Sequence, residues 1–265
     1  MNYIEDLKKR LIQTAEITRG RVNSRQVYRS FINYCALRIS ICTDPVHHQE
    51  RKEQLAALLK DYRENEQAAF EQAFKELAKT VVWNTEAGIY KDILGDVLLE
   101  LGAANRVMKQ DFTPEDVAKL LARLTFHSLP DIPERGYCTL ADHACGSGIL
   151  LLAAAERLLQ LGLNPTEELV IQAVDLDSSC AQMTFIQLSL YGIPAVVIRG
   201  NTMTVTEYER WYTPVYLWRK WVWRHPLPFG AERNAYDERL KMLEEPLYAK
   251  ARYLGQFFRE RGKAG

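Results

Sequence analysis

The 265-residue chain sets 34 Lys plus Arg against 34 Asp plus Glu, so no global positive field marks it as a polyanion binder, and any nucleic-acid contact must come from a local patch or a partner. With 47% hydrophobic and 26% charged residues it has the composition of a globular protein able to bury a sizeable core. No apolar run reaches the ~18 residues of a membrane span, and the opening MNYIEDLKKRLIQTAEI has a helical period rather than a basic-then-apolar leader, which predicts a cytoplasmic protein with no membrane partner.

Residues 1–104 read as a helical domain. Tyr3, Leu7, Leu11 and Ile12, then Val27, Phe31, Tyr34, Cys35 and Leu37, recur at three- and four-residue spacing. Breaks are expected at Arg19-Gly20, Thr43-Asp44-Pro45 and Asn84-Thr85, with further helices over Asp44 to Leu59 and Glu64 to Val82. Another helix is predicted from Ile89 to Leu98. The next has Thr113 as N-cap, Pro114 at the first helical position, Glu115 and Asp116 in the first turn and an apolar stripe of Val117, Leu120, Leu121 and Leu124. His47-His48 has no acidic or cysteine partner at ligand spacing and reads as a solvated helix end. Cys35, Cys42, Cys138, Cys145 and Cys180 show neither CxxC pairs nor zinc spacing, so reduced, mostly buried thiols and no metal are expected.

From Cys138 to Met203 the period switches to strand, glycine loop, helix, strand, helix, strand. A short apolar run ends at Asp142, Gly146-Ser147-Gly148 makes a tight turn, and ILLLAAAERLLQ follows as a helix. Glycines there let backbone approach a ligand, because a Cβ would fill the space it needs. Val170 to Val174 is a second strand ending at Asp175, Asp177 is placed to cap the helix Ser178 to Leu190, and Ala195 to Ile198 is a third strand. Nicotinamide cofactors also use glycine loops, but here the third glycine of GxGxxG is missing and Asp175 falls later than the usual ~20 residues, so that alternative is weak. Cys145 reads as a small residue packed under the loop rather than as a nucleophile.

Asp142-His143-Ala144-Cys145-Gly146-Ser147-Gly148 resembles the DPACGSG motif of the N6-adenine DNA methyltransferases of the type I restriction-modification modification-subunit kind. Gln110-Asp111-Phe112-Thr113-Pro114 resembles that family's QFFTP segment, and Gly200-Asn201-Thr202-Met203 its GD(T/S)L segment. The resemblance covers about residues 85–203. It implies a Rossmann-like S-adenosylmethionine-dependent methyltransferase core over residues 105–203, α/β in class, and the strands read from the residues themselves make its sheet short and mainly parallel, with three strands. It further implies a cofactor site made by Phe112, Thr113 and Pro114 at the methionine end, Asp142 on the methionine amine, the loop Ala144, Cys145, Gly146, Ser147 and Gly148, Asp175 with Leu176 at the ribose, and Asn201 with Thr202 at the adenine. His143 stands where the family has Pro, and Asn201 where it has Asp; the Asn carbonyl keeps an acceptor without the charge.

Beyond residue 203 the resemblance stops. The family's (D/N)PP(Y/F) tetrapeptide, which orients the flipped adenine, occurs nowhere in the chain, and the nearest string is His225-Pro226-Leu227-Pro228-Phe229. No catalytic residue can therefore be named. Residues 204–265 read as a helical extension. Tyr208, Trp211, Tyr212, Tyr216, Trp218, Trp221 and Trp223 interleave with Arg210, Arg219, Lys220, Arg224 and His225, which fits either a base-stacking surface or, preferentially, an amphipathic helix covering the short sheet. A terminal helix is expected from Asn234 to Arg261, carrying Leu240, Leu243, Leu247 and Leu254. Two functions stay open: an S-adenosylmethionine-dependent DNA adenine methyltransferase, completed by a partner chain or an unusual base pocket, or a non-catalytic relative that binds cofactor or DNA as a regulatory or scaffold protein.

Overall fold

From Cys138 onward apolar residues alternate in short runs and then recur at helical spacing, and the computed structural model turns that pattern into a small sheet with helices on both faces. It describes residues 3–16, 18, 21–100, 113–128, 136–219 and 221. The chain opens with α1 (Tyr3–Glu16), α2 (Ser24–Thr43), α3 (His48–Leu59), α4 (Glu64–Glu86), α5 (Ile93–Glu100) and α6 (Glu115–Thr125). The α/β part follows as β1 (Cys138–Asp142), α7 (Ile149–Gln160), α8 (Pro165–Glu168), β2 (Leu169–Asp175), α9 (Ser178–Leu190), β3 (Ala195–Asn201), β4 (Thr206–Tyr212) and α10 (Pro214–Trp218).

The sheet has four strands in the order β1-β2-β3-β4, so the expectation of three is corrected. β1, β2 and β3 are parallel, and β4 returns antiparallel to β3 with Val196 opposite Tyr212. The added strand comes from TEYERWY, inside the stretch expected to be an amphipathic helix. Trp211 joins the core on one face and Tyr212 the core on the other, the period of a strand, and a register shift opposite Arg199 and Gly200 interrupts the pairing at Tyr208. Val205, at φ 53°, makes the turn into it.

Leu169, Ile171 and Ala173 of β2 face one large core, and Val170 and Val174 face the other. The first core is continuous from Val27, Phe31 and Leu37 of α2 through Leu77 of α4 and Leu94 of α5 to Leu151 of α7, Phe185 of α9 and Trp211 of β4. α9 lies between sheet and α2 and is buried from Cys180 to Leu188. Its polar residues are satisfied inside: Gln182 Nε2 donates to Asn33 Oδ1 at 3.0 Å, and Thr184 and Gln187 reach the glycine loop. The second face is closed by Tyr137, Tyr212, Tyr216, Leu217 and Trp221. The aromatic stretch thus covers the sheet, as preferred, but as strand plus short helix.

Four local expectations shift. Asn84 and Thr85 stay inside α4, which runs to Glu86. The helix expected from Ile89 starts only at Ile93, because the backbone before it is claimed from elsewhere: Tyr90 N donates to Glu156 Oε2 and Lys91 N to Tyr191 Oη, each at 2.8 Å. Pro114, not Thr113, is the N-cap of α6, and no side chain caps that end. The α6 stripe Val117, Leu120, Leu121 and Leu124 is exposed, while Ala118 and Ala122 on the opposite side pack against Ala153 of α7. His47 and His48, expected at a solvated end, are half-buried and bonded: His47 Nδ1 lies 2.7 Å from Asp44 Oδ2 and His48 Nδ1 2.8 Å from Ile41 O. The expected helix from Asn234 to Arg261, and the string His225 to Phe229, lie outside the described residues. Among the described residues no helix is long and apolar enough to cross a membrane.

Candidate functional site at the carboxyl edge of the sheet

Parallel strands put all their carboxyl ends on one edge, where connections leave the sheet and backbone groups run out of ladder partners. Here that edge is staggered: Asp142 pairs with Ala173, two residues before Asp175, and Asp175 pairs with Arg199, two residues before Asn201. The three strand ends that the sequence singles out therefore stand side by side, with the loop 143–148 rising between them.

The loop is bonded on every side. Cys145 N donates to Val174 O at 3.0 Å and Gly148 N to Cys145 O at 2.8 Å. Gly146 N donates to Asp175 Oδ2 at 2.8 Å, and Ala144 N to Asp142 Oδ1 at 3.0 Å. Gly146 and Gly148 both take positive φ, 56° and 95°. A Cβ at Gly148 would also stand 3.0 Å from Thr184 Oγ1, so close packing of α7 on α9 needs glycine there. Beside the loop, Thr202 Oγ1 donates to His143 O at 2.8 Å, tying the β3–β4 turn to it.

Asp142 is half-buried, and Ala144, Leu176 and Thr202 are exposed at the edge. Asp175 accepts a second amide, Asp177 N, at 2.9 Å on Oδ1, and burial pushes its carboxyl above the ordinary value. Asp177 caps α9, accepting from Ser179 N at 2.7 Å and Cys180 N at 3.2 Å. Asn201 Oδ1 already accepts from Met203 N at 3.0 Å and Thr204 N at 3.2 Å, so its two lone pairs are used and Nδ2 is the group it has left to offer. The expected acceptor at this position is in place a donor. Cys145 is buried and burial drives its thiol far up, which opposes formation of a thiolate.

Ser147 is the clearest departure. Its side chain is 1% exposed and its hydroxyl donates to the Asp92 carboxylate, so it meets the core and not a ligand. Asp92 was not singled out in the sequence; the one signal was an acidic residue set in the apolar run IYKDILGDVLL. Thr113 and Pro114 open α6. Arg157 Nε of α7 donates to Phe126 O just after α6, at 2.9 Å, so the two helices run the same way and Pro114 shares an end with the glycine loop. Phe112 lies outside the described residues.

The aromatic and cationic stretch is largely used within the chain. Trp211, Tyr212, Tyr216 and Trp221 are buried, Arg210 Nη2 pairs with Glu207 at 2.5 Å, and Arg219 Nη2 with Glu167 at 2.8 Å. Tyr208 alone of these aromatics is well exposed among the described residues, with the Arg199 guanidinium 5.6 Å from its ring. Among the described residues no cluster of His, Cys, Asp and Glu is placed to hold a metal ion.

Residues 90–215 match the family model described as N-6 DNA Methylase, a span that runs from just ahead of α5 through the glycine loop to α10. Over those residues the chain is similar to the N-6 DNA methylase family. The methylase match takes in the loop, all four strands and Asp92 together. Among solved structures, the type I restriction-modification system methyltransferase subunit from Streptococcus thermophilus is similar at 15% identity and a TM-score of 0.35, over 72% of this chain and 56% of that one. The chain thus spans little more than half the length of that subunit. No curated protein matches it.

Proposed function

We propose that this N-6 DNA methylase relative binds S-adenosylmethionine at the carboxyl edge of β1, β2 and β3, as the cofactor-holding part of a cytoplasmic DNA adenine-N6 methylation system. The observation that carries this reading is the convergence of Asp142, the loop 144–148, Asp175 and Asn201 on one edge. The donor set fits the ligand. Asp142 bonds within the chain through Oδ1, leaving Oδ2 for the cationic methionine amine. Asp175 spends one lone pair of each oxygen on an amide, leaving acceptors for two ribose hydroxyls. Asn201 Nδ2 can donate to an adenine ring nitrogen. When bound, the cofactor supplies an electrophilic methyl group; what these residues do is hold and orient it.

Orientation of an acceptor base needs the tetrapeptide that this sequence lacks. We therefore assign that part to a partner chain. Support comes from β1, which among the described residues pairs only with β2, and from the exposed apolar stripe of α6 next to it in sequence. DNA is the expected substrate of the completed assembly. The alternative is a non-catalytic DNA-binding, regulatory or scaffold relative that also needs a partner chain, and it differs in that no methyl transfer follows assembly.

Titration calorimetry with S-adenosylmethionine and its demethylated product tests the site. Binding is expected for the parent chain, with loss on Gly146→Ile, since a β-branched residue resists the positive φ and its side chain would fill ligand space. No heat with either molecule up to millimolar concentration would remove the cofactor reading.

A further inference from the structure

Asp92 is 5% exposed, and the groups bonded to it are neutral. Oδ1 accepts from Gly95 N and from Gln187 Nε2, each at 2.8 Å, and Oδ2 accepts from Ser147 Oγ. Burial pushes this carboxyl above its ordinary value. Gly95 gives way to it: a Cβ there would collide with the carboxylate. A buried carboxylate without a cation is costly, and an apolar side chain would fill the same space at less cost if only packing were needed.

What the carboxylate achieves is seen at the loop. Ser147 is gripped twice, by Asp92 through its hydroxyl and by Gln187 Nε2 through its carbonyl at 2.8 Å. Gly146 is gripped through its carbonyl by Thr184 Oγ1 at 3.0 Å and through its amide by Asp175. Gln187 Oε1 in turn accepts from Leu94 N at 3.2 Å, and Leu94 O from Tyr28 Oη at 2.6 Å, so the network runs back to α2. Two glycines at positive φ would leave this loop free to sample many shapes, and a ligand that had to order it would lose affinity.

We propose that Asp92 is a positioning residue for ligand binding: from the segment ahead of α5 it fixes Ser147, and with Gln187 sets the glycine-loop backbone before the ligand arrives. The role rests on the cofactor reading above. Asp92 touches no ligand and acts through Ser147.

Asp92→Ala, Asp92→Asn, Ser147→Ala and the double variant D92A/S147A, all in the full chain, test it by calorimetry with S-adenosylmethionine and S-adenosylhomocysteine, well below each variant's melting transition. Asp92→Ala and Ser147→Ala are each expected to weaken both ligands by about tenfold or more, the double variant no further than Asp92→Ala alone, as for two members of one linkage. Asp92→Asn is expected to rescue binding to within about threefold of the parent, because Oδ1 keeps Gly95 and Gln187 while Nδ2 donates to the Ser147 hydroxyl. A purely structural role would lower melting temperatures and leave the affinity of folded protein unchanged; that result would overturn the proposal. If Asp92→Ala does not fold, Ser147→Ala decides, and affinity within about twofold of the parent overturns it. A parent chain that binds neither ligand would overturn the cofactor reading and this one with it, whereas a parent that binds beside an unaffected Ser147→Ala would overturn the positioning role alone.

Discussion

The Arg51 guanidinium lies 3.6 Å from the centre of the Trp211 ring, and its Nη1 donates to Glu209 Oε1 at 2.5 Å. This one side chain, 2% exposed, joins α3 to β4, the strand that the sequence concealed. Phe185 of α9 also packs on Trp211, with the ring centroids 5.1 Å apart and the planes tilted by 35°.

Removing Arg51 leaves Glu209 without its cation and opens the ring to water. Arg51→Ala is expected to cost about 2–4 kcal/mol, and Arg51→Lys to recover only part of it, because an ammonium cannot stack flat on the indole. Urea denaturation midpoints measure this; a loss under about 0.5 kcal/mol would mean that the stack contributes nothing net.

Asp175 gives a pH prediction with a definite sign. Burial raises its folded pKa above the ordinary 3.8, so between those two values the folded chain holds a proton that the unfolded chain has lost. Its contribution to stability is therefore fully present below the ordinary value and is lost as pH rises through the raised one. Relative to the parent, unliganded Asp175→Asn should gain stability steadily as pH rises from about 4 and then level off. Melting temperatures across a pH series read it out, and a variant that loses stability relative to the parent as pH rises would contradict the assignment.

Thiol reactivity should divide by burial. Cys42 is exposed, whereas Cys145 and Cys180 are buried with thiols driven far up by desolvation. Iodoacetamide under native conditions is expected to label Cys42 first and leave Cys145 unmodified until the chain is unfolded, as followed by peptide mass spectrometry. Early labelling of Cys145 would contradict this order and revive the nucleophile reading.

Methyl transfer by the chain alone should be negligible. Holding a methyl donor does not accelerate transfer unless contacts strengthen as the amine attacks, and the acceptor-orienting tetrapeptide is missing from the sequence. Labelled-methyl incorporation into mixed-sequence duplex DNA measures it, with a complete family member as control. Robust incorporation by this chain without a partner would refute the assignment of acceptor orientation to a second chain.

The sequence by itself determined what is local. Three- and four-residue apolar spacing set α2, α4, α7 and α9, the change of period at Cys138 announced the strands, and the residues of the loop 142–148 with Asp175 and Asn201 named the site edge, because each is a property of a few consecutive residues. What it left undecided depended on partners far along the chain. TEYERWY became a strand because β3 offered an edge and Arg51, some 160 positions earlier, offered a cation for Trp211. α6 turned its alanines inward, not its leucines, because small side chains let it lie close against Ala153. Ser147 was assigned to a ligand by its motif, yet tertiary packing brought Asp92 to it across 55 residues, and no periodicity or spacing encodes a hydrogen bond between side chains that only the folded core makes neighbours.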